Sequence, residues 1–221
     1  GERGSNEDAF YDGGVLFIVC DGVGGNVYGE VASKLACASL SDYFQDNAVI
    51  VYSNSYLNDA LKYTIQKFEE IECKYPETKG MATTVALVTF NGAGANVAWL
   101  GDSRLYHIRK KEILFVTEDH SLINELAKQG RDVAGIQRNF ITKSLSSKTS
   151  GEFSLHRIDA ALIEKSDFFF VCTDGVLENV SNEILCVALT SENTLEENAQ
   201  KIFSLCEGKT KDNFTFMIVE M

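Results

Sequence analysis

Apolar residues recur along this chain in two rhythms, and each rhythm marks a different kind of element. From Gly14 to Cys20 the run is apolar without a break and rich in Val and Ile, as in a buried strand. Asp21-Gly22-Val23-Gly24-Gly25 must then follow as a tight loop. From Tyr28 the period lengthens: Val31, Ala32, Leu35, Ala36, Ser39, Leu40, Tyr43 and Phe44 share one face of a helix. Leu57, Leu61, Ile65, Phe68 and Ile71 repeat that spacing, so a second helix pairs with the first, with Lys67, Glu69, Glu70 and Glu72 on its wet side.

Strand signals then come in quick succession at Thr83–Phe90, Asn96–Leu100, Leu105–Ile108 and Ile113–Val116, with a turn at Asn91–Gly94. Such short spacing favours antiparallel hairpins. Leu122–Lys128 reads as a short helix, and the polar, basic, aperiodic stretch Gly130–Asn139 as a loop or flap. Phe153–Ile158 and Phe168–Cys172 read as strands, Ser181–Thr190 and Thr194–Leu205 as a second helix pair, and Phe214–Val219 as a closing strand. Strands that are apolar on both sides need cover on both faces. The expected fold is therefore α+β, a four-layer α-β-β-α sandwich of two mostly antiparallel sheets flanked by helix pairs.

A chain of 221 residues with 45% apolar content can bury one large core, and a single proline with no low-complexity stretch offers no linker. One domain over residues 1–221 is expected, with an N-terminus truncated or processed, because the chain opens at Gly1 and Arg3 already looks functional. The longest apolar run, Val15–Cys20, is far too short to span a bilayer. The six cysteines form no C-x-x-C pair, which suits reduced thiols in a cytoplasmic protein. A net charge of −12 argues against nucleic acid as a partner.

Four aspartates, Asp8, Asp21, Asp174 and Asp212, stand at or beside the ends of apolar runs. Any one Asp-Gly could be an ordinary hairpin turn. Neither Asp21-Gly22 nor Asp174-Gly175, however, is followed by a mirrored strand, so both read as loops at one rim of a sheet. A buried carboxylate is costly unless a cation meets it, and hard divalent ions prefer oxygen ligands. The aspartates therefore point to a pocket for divalent metal, with phosphate as its partner.

The segments R-G-S-N-E-D (Arg3–Asp8), D-G-V-G-G (Asp21–Gly25), A-T-T (Ala82–Thr84), G-D-S-R (Gly101–Arg104), E-D-H-S (Glu118–Ser121), T-D-G-V (Thr173–Val176) and D-N-F-T (Asp212–Thr215) run nearly the length of the chain. In order and approximate spacing they resemble the metal-dependent protein phosphatases, the type 2C serine/threonine class in its compact bacterial form. The resemblance implies hydrolysis of phosphoserine or phosphothreonine in proteins by a water activated between two Mn²⁺ or Mg²⁺ ions. It implies that Asp21 bridges the ions with the Gly22 carbonyl beside it, that Asp174 and Asp212 hold the second ion, and that Asp8 binds directly or through water. Glu7 and Asn213 stand beside these ligands, and Arg3 matches the arginine that binds the substrate phosphate. Asp119 matches a residue that helps to hold a weaker third metal, although Asp119-His120-Ser121 could equally cap the helix at Leu122. A monomer acting on the products of a Ser/Thr kinase is the implied setting.

Asp102 and Arg104 are expected in structural contacts, Thr83 and Thr84 in strand packing near the site, and His107 and His156 as ordinary histidines. The sequence departs from the family at Val23, where many relatives carry a histidine, at Ala82 in place of glycine, and at Lys143 in place of arginine. Two other readings stand beside the phosphatase: a catalytically idle module that binds a partner, and a two-metal hydrolase of another phosphoester.

Overall fold

The computed structural model describes residues 4–23, 28–46, 52–136, 140–191 and 193–221. Its elements run β1 (Asp8–Asp12), β2 (Leu16–Asp21), α1 (Gly29–Asp46), α2 (Asn54–Lys74), β3 (Val85–Asn91), β4 (Gly94–Leu100), β5 (Arg104–Arg109), β6 (Glu112–Val116), α3 (Leu122–Lys128), β7 (Ser154–Asp159), β8 (Phe168–Cys172), α4 (Asp174–Leu177), α5 (Asn182–Leu189), α6 (Leu195–Cys206) and β9 (Phe216–Glu220). The strands form a five-stranded sheet in the order β1-β2-β3-β4-β7 and a four-stranded sheet in the order β6-β5-β8-β9. Neighbouring strands pair antiparallel throughout both sheets.

The alternation of side chains across each strand builds the layers. On β2, Leu16, Ile18 and Cys20 point into a core shared with Ala36, Leu40, Leu57, Leu61 and Phe68 of α1 and α2. Phe17 and Val19 point the other way, into the seam between the sheets, where they join Val97, Trp99, Leu105, Phe169 and Val171. On β8, Phe170 and Cys172 face away from that seam and pack with Leu185, Leu189, Ile202 and Cys206 of α5 and α6. Each central strand is thus buried on both faces, which is why its sequence reads as an unbroken apolar run.

Local signals set the helix ends. Ser53, Ser121 and Ser181 cap α2, α3 and α5 through side-chain oxygens that accept the N–H groups of Tyr56, Asn124 and Ile184. Thr194 and Glu197 close a reciprocal capping box at α6. Among the described residues no helix is long and apolar enough to cross a membrane.

The structure corrects the sequence reading in several places. β1 and the single turn α4 were not anticipated, because a five-residue polar strand and a four-residue helix carry too little periodicity. Glu72, expected on the wet side of α2, is buried: it accepts the Gly80 N–H at 3.0 Å and the Ser147 hydroxyl at 2.7 Å. Of the surface and core positions open to His107, it takes the core one, buried against Phe169 and bonded to Asp167 at 2.7 Å. Gly24, Gly25 and the end of the expected flap, residues 137–139, lie outside the described residues.

Candidate metal centre

Pairing of β1 with β2 sets Asp8 opposite Asp21, so two carboxylates stand side by side at one end of the first sheet. The second sheet delivers its own at the same rim. β8 ends at Cys172, and Asp174 opens α4 one residue beyond Thr173. The two sheets are stitched together there. Thr173 Oγ1 accepts the Thr215 N–H at 2.9 Å and donates to Asp8 Oδ2 at 3.0 Å.

Asp21 is held by its backbone. Its N–H donates to Thr84 Oγ1 at 3.0 Å, and its carbonyl accepts the Thr84 N–H at 2.8 Å and the Thr83 hydroxyl at 2.8 Å. The two threonines therefore do more than pack. Gly22 is required for contact: a Cβ there would come within 2.5 Å of the Gly29 carbonyl oxygen at the start of α1. Its N–H donates to the Glu7 carbonyl at 3.0 Å, and the Glu7 N–H donates in turn to Asn213 Oδ1 at 3.0 Å. Glu7 and Asn213 thus join the loops that carry Asp8, Asp21 and Asp212. On the far side, the Asp212 N–H donates to Glu178 at 3.1 Å and its Oδ1 accepts the Asn213 N–H at 2.7 Å. Gly175 lies so close to the Asn213 carbonyl that no side chain would fit.

The electrostatics of this rim are those of crowded like charge. Burial, opposed by hydrogen bonds from Thr215 and Thr173 and reinforced by Asp212 and Asp174, pushes Asp8 up to about 6. Asp21 is pushed well above the carboxylate range by burial first, then by Asp8, Asp174 and Asp212. Carboxylates arranged this way must keep protons near neutral pH or meet a cation. Among the described residues no three acidic, His or Cys side chains already meet as a closed metal shell. Asp8 and Asp21 nonetheless each feel the charges of Asp174 and Asp212. Asp8 Oδ1, buried and without a hydrogen-bond partner, supplies the sharper test of fit. An acceptor left in that state is what a hard cation would satisfy.

Asp119, expected to help hold a third metal or to cap a helix, is paired with Arg104. Both oxygens of Asp119 are taken by Arg104, with Nε and Nη2 each at 2.7 Å, a bidentate pair that occupies the carboxylate. The helix behind it is capped by Ser121. Asp102, half-buried on the turn between β4 and β5, feels the charge of Asp174: burial first, then Asp174 and Asp119, raise it to about 7. A signal was present, since Asp102 follows a glycine at the end of an apolar strand, as Asp21 closes β2. Arg3 lies outside the described residues.

A family model described as protein phosphatase 2C matches residues 3–211. The serine/threonine phosphatase stp of Listeria monocytogenes is 29% identical over 233 aligned residues, covering 99% of this chain and 91% of its own length. The serine/threonine protein phosphatase PstP of Mycobacterium tuberculosis is 28% identical over 238 aligned residues, and there the match covers 99% of this chain but 43% of the relative. The chain therefore spans less than half the length of that protein. Among solved structures, the phosphatase Stp1 from Staphylococcus aureus superposes with a TM-score of 0.88 at 28% identity, covering 100% of this chain and 91% of the other. The catalytic domain of PstP in complex with two manganese ions gives 0.85 at 28% identity, over 99% and 92%.

Proposed function

The chain belongs to the protein phosphatase 2C family, and from that premise we propose that it hydrolyses phosphoserine and phosphothreonine in proteins with Mn²⁺ or Mg²⁺ at the rim where its two sheets meet. The observation that carries this reading is the convergence of Asp8, Asp21, Asp174 and Asp212, with Asp8 Oδ1 buried and unsatisfied. Asp21, with the Gly22 carbonyl beside it, would hold divalent cations at this rim. Asp8, Asp174 and Asp212 would supply further oxygen ligands, and Asp102, which feels the charge of Asp174, would offer a further, weaker position. Bound there, a cation pair lowers the pKa of a shared water and neutralises charge on the phosphoryl group.

The chain's own residues do the rest. Thr83 and Thr84 hold the backbone of Asp21, and Thr173 donates to the Asp8 carboxylate, so little reorganisation remains when charge develops. Arg3 supplies a guanidinium fork for the phosphate oxygens. Val23 has no acidic proton to give the leaving alkoxide. The relatives are named as serine/threonine phosphatases, and phosphorylated proteins made by a Ser/Thr kinase are the corresponding substrates here. A monomer working in the cytoplasm is part of the same reading, consistent with free cysteines at all six positions.

An idle binding module would have no use for Asp8 and Asp21 buried beside further carboxylates at one rim. Release of phosphate from a phosphopeptide in Mn²⁺, its loss on chelation, and its loss in Asp174→Asn with the fold retained are the expected results. Turnover that ignores chelator, or a fully active Asp174→Asn protein, would overturn the proposal.

A further inference from the structure

His120 sits beside the proposed cation ligands without being one of them, and it is bonded to more segments than any packing role requires. Its backbone N–H donates to the Gly101 carbonyl at 2.9 Å, and the Gly101 N–H donates to its Nδ1 at 3.1 Å. With Nδ1 accepting, the proton is on Nε2, which donates to Ser154 Oγ at 2.7 Å at the start of β7. Its carbonyl accepts the Thr142 N–H at 2.7 Å, and the ring stacks on Trp99 with an interplanar angle of 13°. The neighbouring Ser121 bridges to Ile141. Thus one residue joins the Gly101 turn, β7 and segment 140–142.

The Gly101 turn is gripped from the other side as well. Gly101 has φ +103°, and a Cβ there would lie 2.7 Å from Thr84 Cγ2. Thr84 Oγ1 shares a 2.6 Å hydrogen bond with Ser103 while accepting the Asp21 N–H. The turn carrying Asp102 is therefore clamped between Thr84, which also holds Asp21, and His120. Both clamps act on the turn through Gly101 and Ser103.

We propose that His120 is a positioning residue that fixes the Gly101–Ser103 turn so that Asp102 faces Asp174, and that it thereby sets the affinity of the weakest divalent-cation position. The part of the imidazole that matters is the acceptor at Nδ1. Burial first, and then Lys143, hold the ring at about 4, so that acceptor is retained across the working range of pH. The inference rests on the divalent-cation reading of the rim given above.

Asparagine and glutamine separate this role from simple filling of space. The Asn amide oxygen reaches the place of Nδ1, whereas the Gln amide reaches the place of Nε2. Mn²⁺ binding to the whole chain, measured by calorimetric titration without substrate, is the first readout, and the Mn²⁺ activation curve with a phosphopeptide is the second. Outer-sphere partners of metal ligands typically change affinity by about 10–100-fold. His120→Gln and His120→Ala are expected to weaken the weakest site about 10-fold, with KM for the phosphopeptide within about twofold of the parent. His120→Asn should bind nearly as the parent does, and Ser154→Ala, which leaves the Gly101 bond in place, should do the same. A purely structural role would lower the thermal midpoints of the Asn and Gln variants alike and leave Mn²⁺ affinity unmoved. Equal affinities for the Asn and Gln variants overturn the inference even if His120→Ala fails to fold. A parent chain that binds no Mn²⁺ overturns the metal reading and this inference with it, whereas normal parent binding with an unaffected His120→Gln overturns this inference alone.

Discussion

Replacing Asp8 by asparagine should make the metal-free chain more stable while disabling its response to Mn²⁺. In the folded protein Asp8 is raised from 3.8 to about 6, chiefly by burial. Between those values the folded chain keeps a proton that the unfolded chain has released, so stability is highest below pH 3.8 and falls as pH rises through about 6. Above that range the ionised carboxylate costs the fold on the order of 3 kcal/mol, at about 1.36 kcal/mol per pKa unit. Asparagine removes the charge and keeps an oxygen to accept the Thr173 hydroxyl, which Asp8 now receives at 3.0 Å. Urea unfolding in chelator at pH 7.5 should therefore show Asp8→Asn more stable by about 1–3 kcal/mol, a gain that shrinks towards zero at pH 4. Adding Mn²⁺ should reverse the order. A ligand at 100 times its dissociation constant stabilises the state it binds by about 2.7 kcal/mol, and only the parent has the full ligand set. Equal stability of the two proteins in chelator at pH 7.5, or a gain that persists undiminished at pH 4, would refute the argument that an uncompensated carboxylate is stored at this rim.

Gly22→Ala should destabilise the chain by about 2 kcal/mol or more and cost the Mn²⁺ response, because the new methyl meets the Gly29 backbone rather than a yielding side chain; a near-parental urea midpoint would contradict this. Asp167 belongs to a separate buried cluster with Arg109 and His107. Burial alone would raise it, but hydrogen bonds from Arg109 and His107 outweigh that and hold it at about 2, so its stabilisation is present above pH 3.8 and lost as pH falls through about 2. Asp167→Asn should cost about 3 kcal/mol by urea unfolding at pH 7 while Mn²⁺-dependent turnover per folded molecule is retained, and loss of turnover without loss of stability would count against that division. Finally, Asp102→Asn should shift the Mn²⁺ concentration needed for full activity, whereas Asp119→Asn, which loosens the Arg104 pair, should act mainly on stability. The opposite assignment in parallel Mn²⁺ titrations would return Asp119 to the metal.

The layers were legible because a strand buried on both faces and a helix buried on one leave different periods in the chain. Leu16 to Cys20 and Phe168 to Cys172 showed the first, and α1 and α2 the second. Asp21 and Asp174 stood out for a related reason: each Asp-Gly follows an apolar run and neither is followed by a mirrored strand, which an ordinary hairpin turn would require. Glu72 and Asp167 did not. Their burial depends on partners distant in sequence, Ser147 for one and His107 and Arg109 for the other, and no local pattern announces such a meeting.

By itself the sequence determined which residues could be strands or helices, which faces would be apolar, and that a set of acidic side chains would stand at strand ends. Those properties follow from side-chain chemistry and from backbone periods that act over a few residues. Only the folded arrangement decided that β1 would set Asp8 against Asp21, that Arg104 would claim Asp119, and that Asp102 would be left facing Asp174. Which carboxylate pairs with a guanidinium and which is left to couple with another acid depends on register between strands and on contacts between sheets, and those are set by packing across the whole core.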